Sequence, residues 1–318
     1  MIRREALAGA NKTFKKMELT RKNHGKEETF LYAPINEKVK AFRIMSPKGR
    51  IATKMISYDK ENAAALFVAE IWDEDGRLLA NAHAYECKGS SIVNGTSLIE
   101  NAETSAVGRA LSAIGFDVNV NSAPVNSIAE ANANIKTIAM KGGKEYAGTD
   151  ERIGAFRSLY PDGSIQTEII YQDAETVVFS ASAYNSTGEL LATATASETK
   201  SDKGVNQYHW IENAETSAVG RCLALCGFGI DVSIASASDM ESAISFATTD
   251  QRNKIDHLLT ETGVDAAKLL EHYKVSDLDS LDEFTADKFI ATLEGVANKK
   301  KSNTNAILDA AARYTQTA

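Results

Sequence analysis

The eleven residues IENAETSAVGR stand at positions 99–109 and again, unchanged, at 211–221. An identical run of that length does not arise by chance, so the chain carries an internal duplication. The likeness extends upstream. VKAFRIMSPKGRIATKMISYD (39–59) aligns with IGAFRSLYPDGSIQTEIIYQD (153–173), and DEDGRLLANA (73–82) aligns with NSTGELLATA (185–194). The copies lie 114 residues apart at first and 112 apart from Phe67 and Phe179 onward, far beyond solenoid periods. That spacing predicts tandem domains and not a repeat array.

Each copy reads as a β-meander followed by a helix. GRIATKMISY alternates at strand period. Two further β-rich runs then meet at Asp73-Glu74-Asp75-Gly76 in the first copy and at Ser186-Thr187-Gly188 in the second. A helix follows over about 98–114 and 210–226. On its wheel Ile99, Ala102, Ala106, Ala110 and Ala113 share an apolar arc that would pack on the sheet. Ser97 and Glu100 have capping-box spacing, whereas the second copy has His209 in place of Ser97. Residues 126–150 read as a polar helix and Gly-rich linker, and three helical patterns follow from Thr249. The expected fold class is therefore α+β: two tandem β-β-β-α domains, each an antiparallel meander with a packed helix, then a small C-terminal helical module. The boundaries implied are a basic N-terminal segment (1–28), the first repeat (29–125), the linker (126–150), the second repeat (151–240), the helical module (249–297) and a flexible tail (298–318).

Composition narrows the function. The 318 residues are 43% hydrophobic and 25% charged with four prolines, which excludes collagen-like, mucin-like and wholly disordered chains. No stretch approaches the length of a membrane helix and MIRREALAGANKTFKK has no apolar h-region, so a cytoplasmic protein without membrane contact is expected. Cys87, Cys222 and Cys226 cannot form a disulfide framework, and the pair at 222 and 226 reads as core thiols. The formal charge is −8, yet residues 1–60 hold 15 Lys and Arg against 6 Asp and Glu. That basic fifth reads as an arm for phosphate or an acidic neighbour, or as a solvated leader.

Enzyme signatures are missing: there is no Walker loop, nucleophile elbow, H-E-x-x-H or paired C-x-x-C. Gly142-Gly143-Lys144 reads as linker, and the five histidines are scattered singly. We therefore expect no catalytic residue, no metal site and no cofactor. Glu103 and Glu215 point into the apolar arc, where a carboxylate must find a partner; a strand donor or a helix-start N–H is the expected one. The candidate binding face is the helix with its preceding loop, where Thr104, Ser105, Gly108 and Arg109 recur as Thr216, Ser217, Gly220 and Arg221. Hydroxyls and a guanidinium beside a glycine suit a phosphodiester chain. The competing reading is that the glycines admit close helix packing and the arginines pair with Glu. Lys200, Lys203, Tyr208 and Trp210 add cations and aromatics of the kind on which single-stranded bases stack, with Lys88 alone in the first copy; Trp210 could equally belong to the core.

The string Ala41-Phe42-Arg43, Pro47, Gly49, then Gly89-Ser90-Ser91 through Leu111 resembles uncharacterised phage and prophage proteins near the single-strand annealing group typified by Erf and RecT. Ala155-Phe156-Arg157, Pro161, Gly163 and residues 211–223 carry the likeness in the second copy, which lacks the Gly-Ser-Ser loop. The resemblance implies ATP-independent binding and annealing of single-stranded DNA by a homo-oligomeric ring or filament with a basic groove. It also implies a C-terminal module that meets a host single-strand-binding protein or another partner. Tandem copies and an acidic body depart from that pattern. The leading expectation is thus a phage recombination or replication accessory in the host cytoplasm. The alternatives are a phage-encoded protein that binds or inhibits a host protein through its acidic duplicated domains, and a small-molecule-binding module in the cleft between the copies.

Overall fold

The computed structural model describes residues 2–23, 26–139, 145–202, 205–231, 247–273 and 285–300, with 275, 277, 278 and 281. The chain divides into two compact units, Met1–Ser238 and Asp239–Ala318. The first holds both copies. It begins with helix α1 (Arg4–Thr13), a hairpin of β1 (Met17–Asn23) and β2 (Lys26–Tyr32), and helix α2 (Ile35–Met45). Strands β3 (Arg50–Asp59), β4 (Ala64–Trp72) and β5 (Leu78–Cys87) form the first meander, and α3 (Leu98–Ala113) closes the copy. After α4 (Ile128–Asn132) and the short pair β6 (Thr137–Ala139) and β7 (Glu145–Ala147), the second copy repeats the order. It comprises α5 (Thr149–Leu159), β8 (Ser164–Gln172), β9 (Thr176–Tyr184), β10 (Leu190–Thr199) and α6 (Trp210–Leu225).

The β-β-β-α order holds in both copies, and each is prefaced by a helix that the alignment did not reveal. AFR lies inside that helix, with Phe42 and Phe156 fully buried. The two meanders do not stand apart as separate domains. They join into one six-stranded sheet of order β10-β9-β8-β5-β4-β3, antiparallel within each copy and parallel where β5 meets β8 at Ala80 and Ile165. Directly paired residues point to the same face. Ala80 shares a core with Ala102, Ala106 and Ala110 of α3, and Ile165 shares one with Ala214 and Ala218 of α6, so both helices cover the same face.

Two boundary expectations need correction. The basic N-terminal segment is not a solvated arm, because Ile2, Leu7 and Ala8 are buried in the first core. Asn11 ties α1 down by donating to the carbonyls of Gly115 and Val118, both at 2.8 Å. Nor is 126–150 a bare linker: Val125, Ala131, Tyr146 and Ala147 are buried, and α5 has already begun at Thr149. The capping-box spacing at Ser97 produces no side-chain cap. Instead Asn101 reaches Asn94 (2.8 Å) and Asn213 reaches Asn206 (3.0 Å), pinning each loop to the helix it precedes.

In the second unit, α7 (Thr249–Thr262) starts at a capping box between Thr248 and Gln251 and stops at Gly263, whose φ of 65° is the left-handed conformation glycine adopts without strain. Helix α8 (Ala266–Tyr273) and a helix over 285–300, α9, complete a core around Ile255, Leu258, Leu269, Phe289 and Leu293. The expected tail from 298 is helical through Lys300; 301–318 lie outside the described residues.

Candidate functional site

Where the strands β5 and β8 diverge beyond Ala80, side chains replace the missing ladder. Asn81 acts as a substitute peptide group, accepting from Thr167 N at 2.8 Å and donating to Thr167 O at 2.7 Å. Further along, α6 supplies acceptors to the β5 edge: Glu215 takes the His83 N–H on both oxygens (3.0 and 3.1 Å), and Glu212 takes the Tyr85 N–H. Glu215 also accepts from Thr167 Oγ1 at 2.7 Å and lies 2.8 Å from His83 Nδ1. The strand donor expected for this carboxylate is there. Its counterpart Glu103 accepts from Thr53 Oγ1 at 2.6 Å, at the position equivalent to Thr167.

Arg109 completes the junction from the other copy. Its Nη2 lies 2.8 Å from Glu215, 3.2 Å from Thr216 Oγ1 and 3.2 Å from the Glu212 carbonyl. Burial alone would raise the Glu215 carboxyl, but His83 and Arg109 hold it down to about 2. Glu212 is the reverse case, since burial outweighs Arg109 and pushes its carboxyl up to about 7. Above this junction lies a cleft of about 650 Å³ between α3 and α6, floored by Ala82, Ala84 and Ile165. Its rim mixes Lys38 and Arg109 with Glu86, Asp117, Asp150 and Glu212. Glu212 Oε2 and Arg109 Nε are buried there without a hydrogen-bond partner.

The candidate residues of the sequence therefore separate. Arg109 bridges the copies, with its guanidinium held against Glu215, the Glu212 carbonyl and Thr216, which accepts from it. Ser217 is buried at 5% exposure, and Trp210 at 3%, edge-on to Tyr85, so neither can meet a base or a phosphate. Gly108 and Gly220 serve helix packing: a Cβ would lie 3.0 Å from Ile35 and 2.7 Å from Thr149 Oγ1. Thr104 donates back to the Glu100 carbonyl, Ser105 donates to Glu86, and Arg221 is partly buried. The remaining candidates gather at one end of the sheet. Lys88 and Lys200 are exposed just past β5 and β10. Lys200 is near enough to lower the Cys87 thiol against the larger upward push of burial, and a Cβ on Gly89 would sit 3.9 Å from the Tyr208 hydroxyl. Lys203 lies outside the described residues.

Glu212, His83, Asn81 and Lys38 were not among the sequence candidates. Lys38 is 3% exposed, donates to Ser112 Oγ at 2.8 Å, and burial lowers its pKa. A signal for the junction was present, namely the recurrence of Thr53 with Glu103 as Thr167 with Glu215. Cys222 is buried and Cys226 half-buried, as core thiols should be. Among the described residues no group of His, Cys, Asp and Glu converges as a metal site, and no helix is long and apolar enough to cross a membrane.

The fold and junction define a duplicated α+β unit built on one sheet. Residues 39–114 and 153–226 each match the family model described as Slr1353 N-terminal dsRNA-binding domain-like. The matched stretches run from α2 to the end of α3 and from α5 to the end of α6, so the similarity covers both copies and leaves out the C-terminal unit. No curated protein and no solved structure matches the chain.

Proposed function

We propose that this chain binds nucleic acid without covalent chemistry, through the end of the sheet where the β5–α3 and β10–α6 loops meet. The carrying observation is that both copies, and not one, are similar to a dsRNA-binding-like domain family. Lys88 and Lys200 would contact phosphates and Tyr208 would offer a stacking face. The finer form of the proposal is single-stranded DNA, handled in phage recombination or replication, on the resemblance to annealing proteins. A duplex RNA partner is the competing form, because dsRNA-binding domains read backbone shape and not sequence.

Anisotropy titrations with labelled single-stranded DNA, single-stranded RNA, duplex DNA and duplex RNA test both forms. We expect binding at low salt that weakens as salt rises, with a slope of about 0.7 per neutralised phosphate on a single strand. The double change Lys88→Ala, Lys200→Ala should lower that slope by about 1.4. Tighter binding to duplex RNA replaces the finer form, and no binding to any of the four at low salt rejects the proposal.

A second reading rests on the cleft. Its volume is of the size small-molecule sites have, and Glu212 and Arg109 both line it. A thermal-shift screen with small polar compounds should then find a stabilising ligand whose effect is lost in Glu212→Ala.

A further inference from the structure

The junction between the copies uses only half of what the duplication supplies. It joins the trailing side of repeat 1 (β5, Arg77, Arg109) to the leading side of repeat 2 (α5, β8 and the Glu212 and Glu215 of α6). The leading side of repeat 1 and the trailing side of repeat 2 carry the equivalent residues at β3 and β10, the outer strands of the sheet among the described residues. We infer that the chain assembles head to tail with further copies of itself, the β10 edge of one copy meeting the β3 edge of the next through the contacts that join its own halves.

Four equivalences carry this. At the junction Arg157 donates to Gly163 O in its own copy and to Ala113 O (2.9 Å) and Leu79 O (3.1 Å) across the seam. Arg43 makes the same own-copy bond, to Gly49 O, and is otherwise exposed; Leu79 has its counterpart in Leu191 on the β10 edge. Glu215 is held by Thr167 and then takes the β5 edge. Glu103 is held by Thr53 in the same way, with Glu100 standing where Glu212 stands. Strands β4 and β5 pair in the same register as β9 and β10, so the N–H groups of Thr195 and Ser197 point outward as those of His83 and Tyr85 do.

The fourth equivalence is a charge exchange. Arg77 reaches Asp162 across the seam at 3.3 Å. Its counterpart on the β10 edge is Glu189, and the counterpart of Asp162 on the β3 edge is Lys48, both exposed. Each position has reversed sign and the pair has stayed complementary. Charged edge residues alone would be ordinary protection against strand pairing, but protection does not require that two distant positions reverse together. The exchange also sets Glu189 against a second Asp162 and Lys48 against a second Arg77, so a copy is steered onto the correct partner edge. The apolar contacts of the seam, Tyr85 on Trp210 and His83 on Phe179, are replaced at the outer edges by Ser197 with Leu98 and Thr195 with Phe67. The contact between chains is therefore weaker and reversible. Such a junction is heterologous, so it closes as a ring or continues as a filament.

The proposal stands apart from nucleic-acid binding and is tested without any. Sedimentation of the full chain over a concentration series should show mass rising past two copies. Lys48→Glu or Glu189→Lys alone sets like charges against each other and should weaken association at least roughly tenfold. An equimolar mixture of the two variants restores opposite charges at every contact and should restore association. Both residues are exposed, so unchanged melting temperatures verify that folding is intact. A chain that stays monomeric at every concentration overturns the inference. So does association that the reversals leave unmoved, or a mixture no stronger than its components.

Discussion

Arg157 and Arg43 occupy the same place in two copies of one motif, yet Arg157 is fully buried and Arg43 stands in solvent. Both make the bond that their own copy dictates, to the carbonyl of the glycine six residues on. Everything else that separates them comes from the neighbour: Arg157 has the edge of another copy packed over it, and burial lowers its pKa to about 9. Local sequence settles which bonds a copy makes within itself. Position in the sheet settles which of its groups become structural.

The sharpest way to break that comparison is at the paired carboxylates. Glu215→Ala removes acceptors from His83 N, Thr167 and Arg109 at a buried seam and should destabilise the first unit by about 3–5 kcal/mol. Glu103→Ala removes one exposed bond and should change stability by less than about 1 kcal/mol. Urea midpoints for the two variants measure the difference, and equal losses would mean the seam carries no special weight.

The helix glycines give a smaller contrast. Gly220→Ala pushes a methyl to within 2.7 Å of the Thr149 hydroxyl, which is itself bonded to Thr216 O. Gly108→Ala meets the apolar side chain of Ile35, Cγ1 at 3.0 Å and Cδ1 at 3.1 Å. We expect losses of about 1–3 kcal/mol for the first and about 1 kcal/mol or less for the second. Thermal melts of the two proteins check this.

A further contrast concerns pH. Glu215, depressed to about 2, contributes stability that is complete above its unfolded value near 4.5 and is lost as pH falls from there toward 2. Glu212, raised to about 7, binds its proton more tightly when folded, so its contribution is fullest below 4.5 and fades as pH rises toward 7. The two slopes oppose each other and meet near pH 4.5, where stability should peak. Glu212→Gln should flatten the fall between pH 4.5 and 7 while leaving the acid limb in place, as a pH series of unfolding midpoints would show.

Much of the fold could be read from the sequence because duplication doubles every signal. The meanders, both helices with their alanine faces and the C-terminal module follow from patterns that occur twice or are bounded by Gly263. The helices α2 and α5 escaped because AFR and its flanks were read as alignment landmarks, and because α5 carries Gly154 and is buried almost all round, which erases an amphipathic stripe. The candidate site fared less well. The wheel placed Glu215 toward the apolar side correctly, but a wheel treats each helix alone. It cannot tell that Arg109 of one helix answers Glu215 of the other, so the guanidinium that looked available for phosphate belongs to the seam. Trp210 was undecidable by type alone, and the packing of Tyr85 against it places it inside.

One main-chain pair, Ala80 with Ile165, spans the two halves of the sheet; Asn81 and its neighbours do the rest. The strength of that seam is therefore written in side chains and not in strand length, so single substitutions can tighten or loosen it while leaving every helix and strand intact. A gene that copied itself once could acquire a firm inner seam and keep a soft outer one, without inventing a new surface for either.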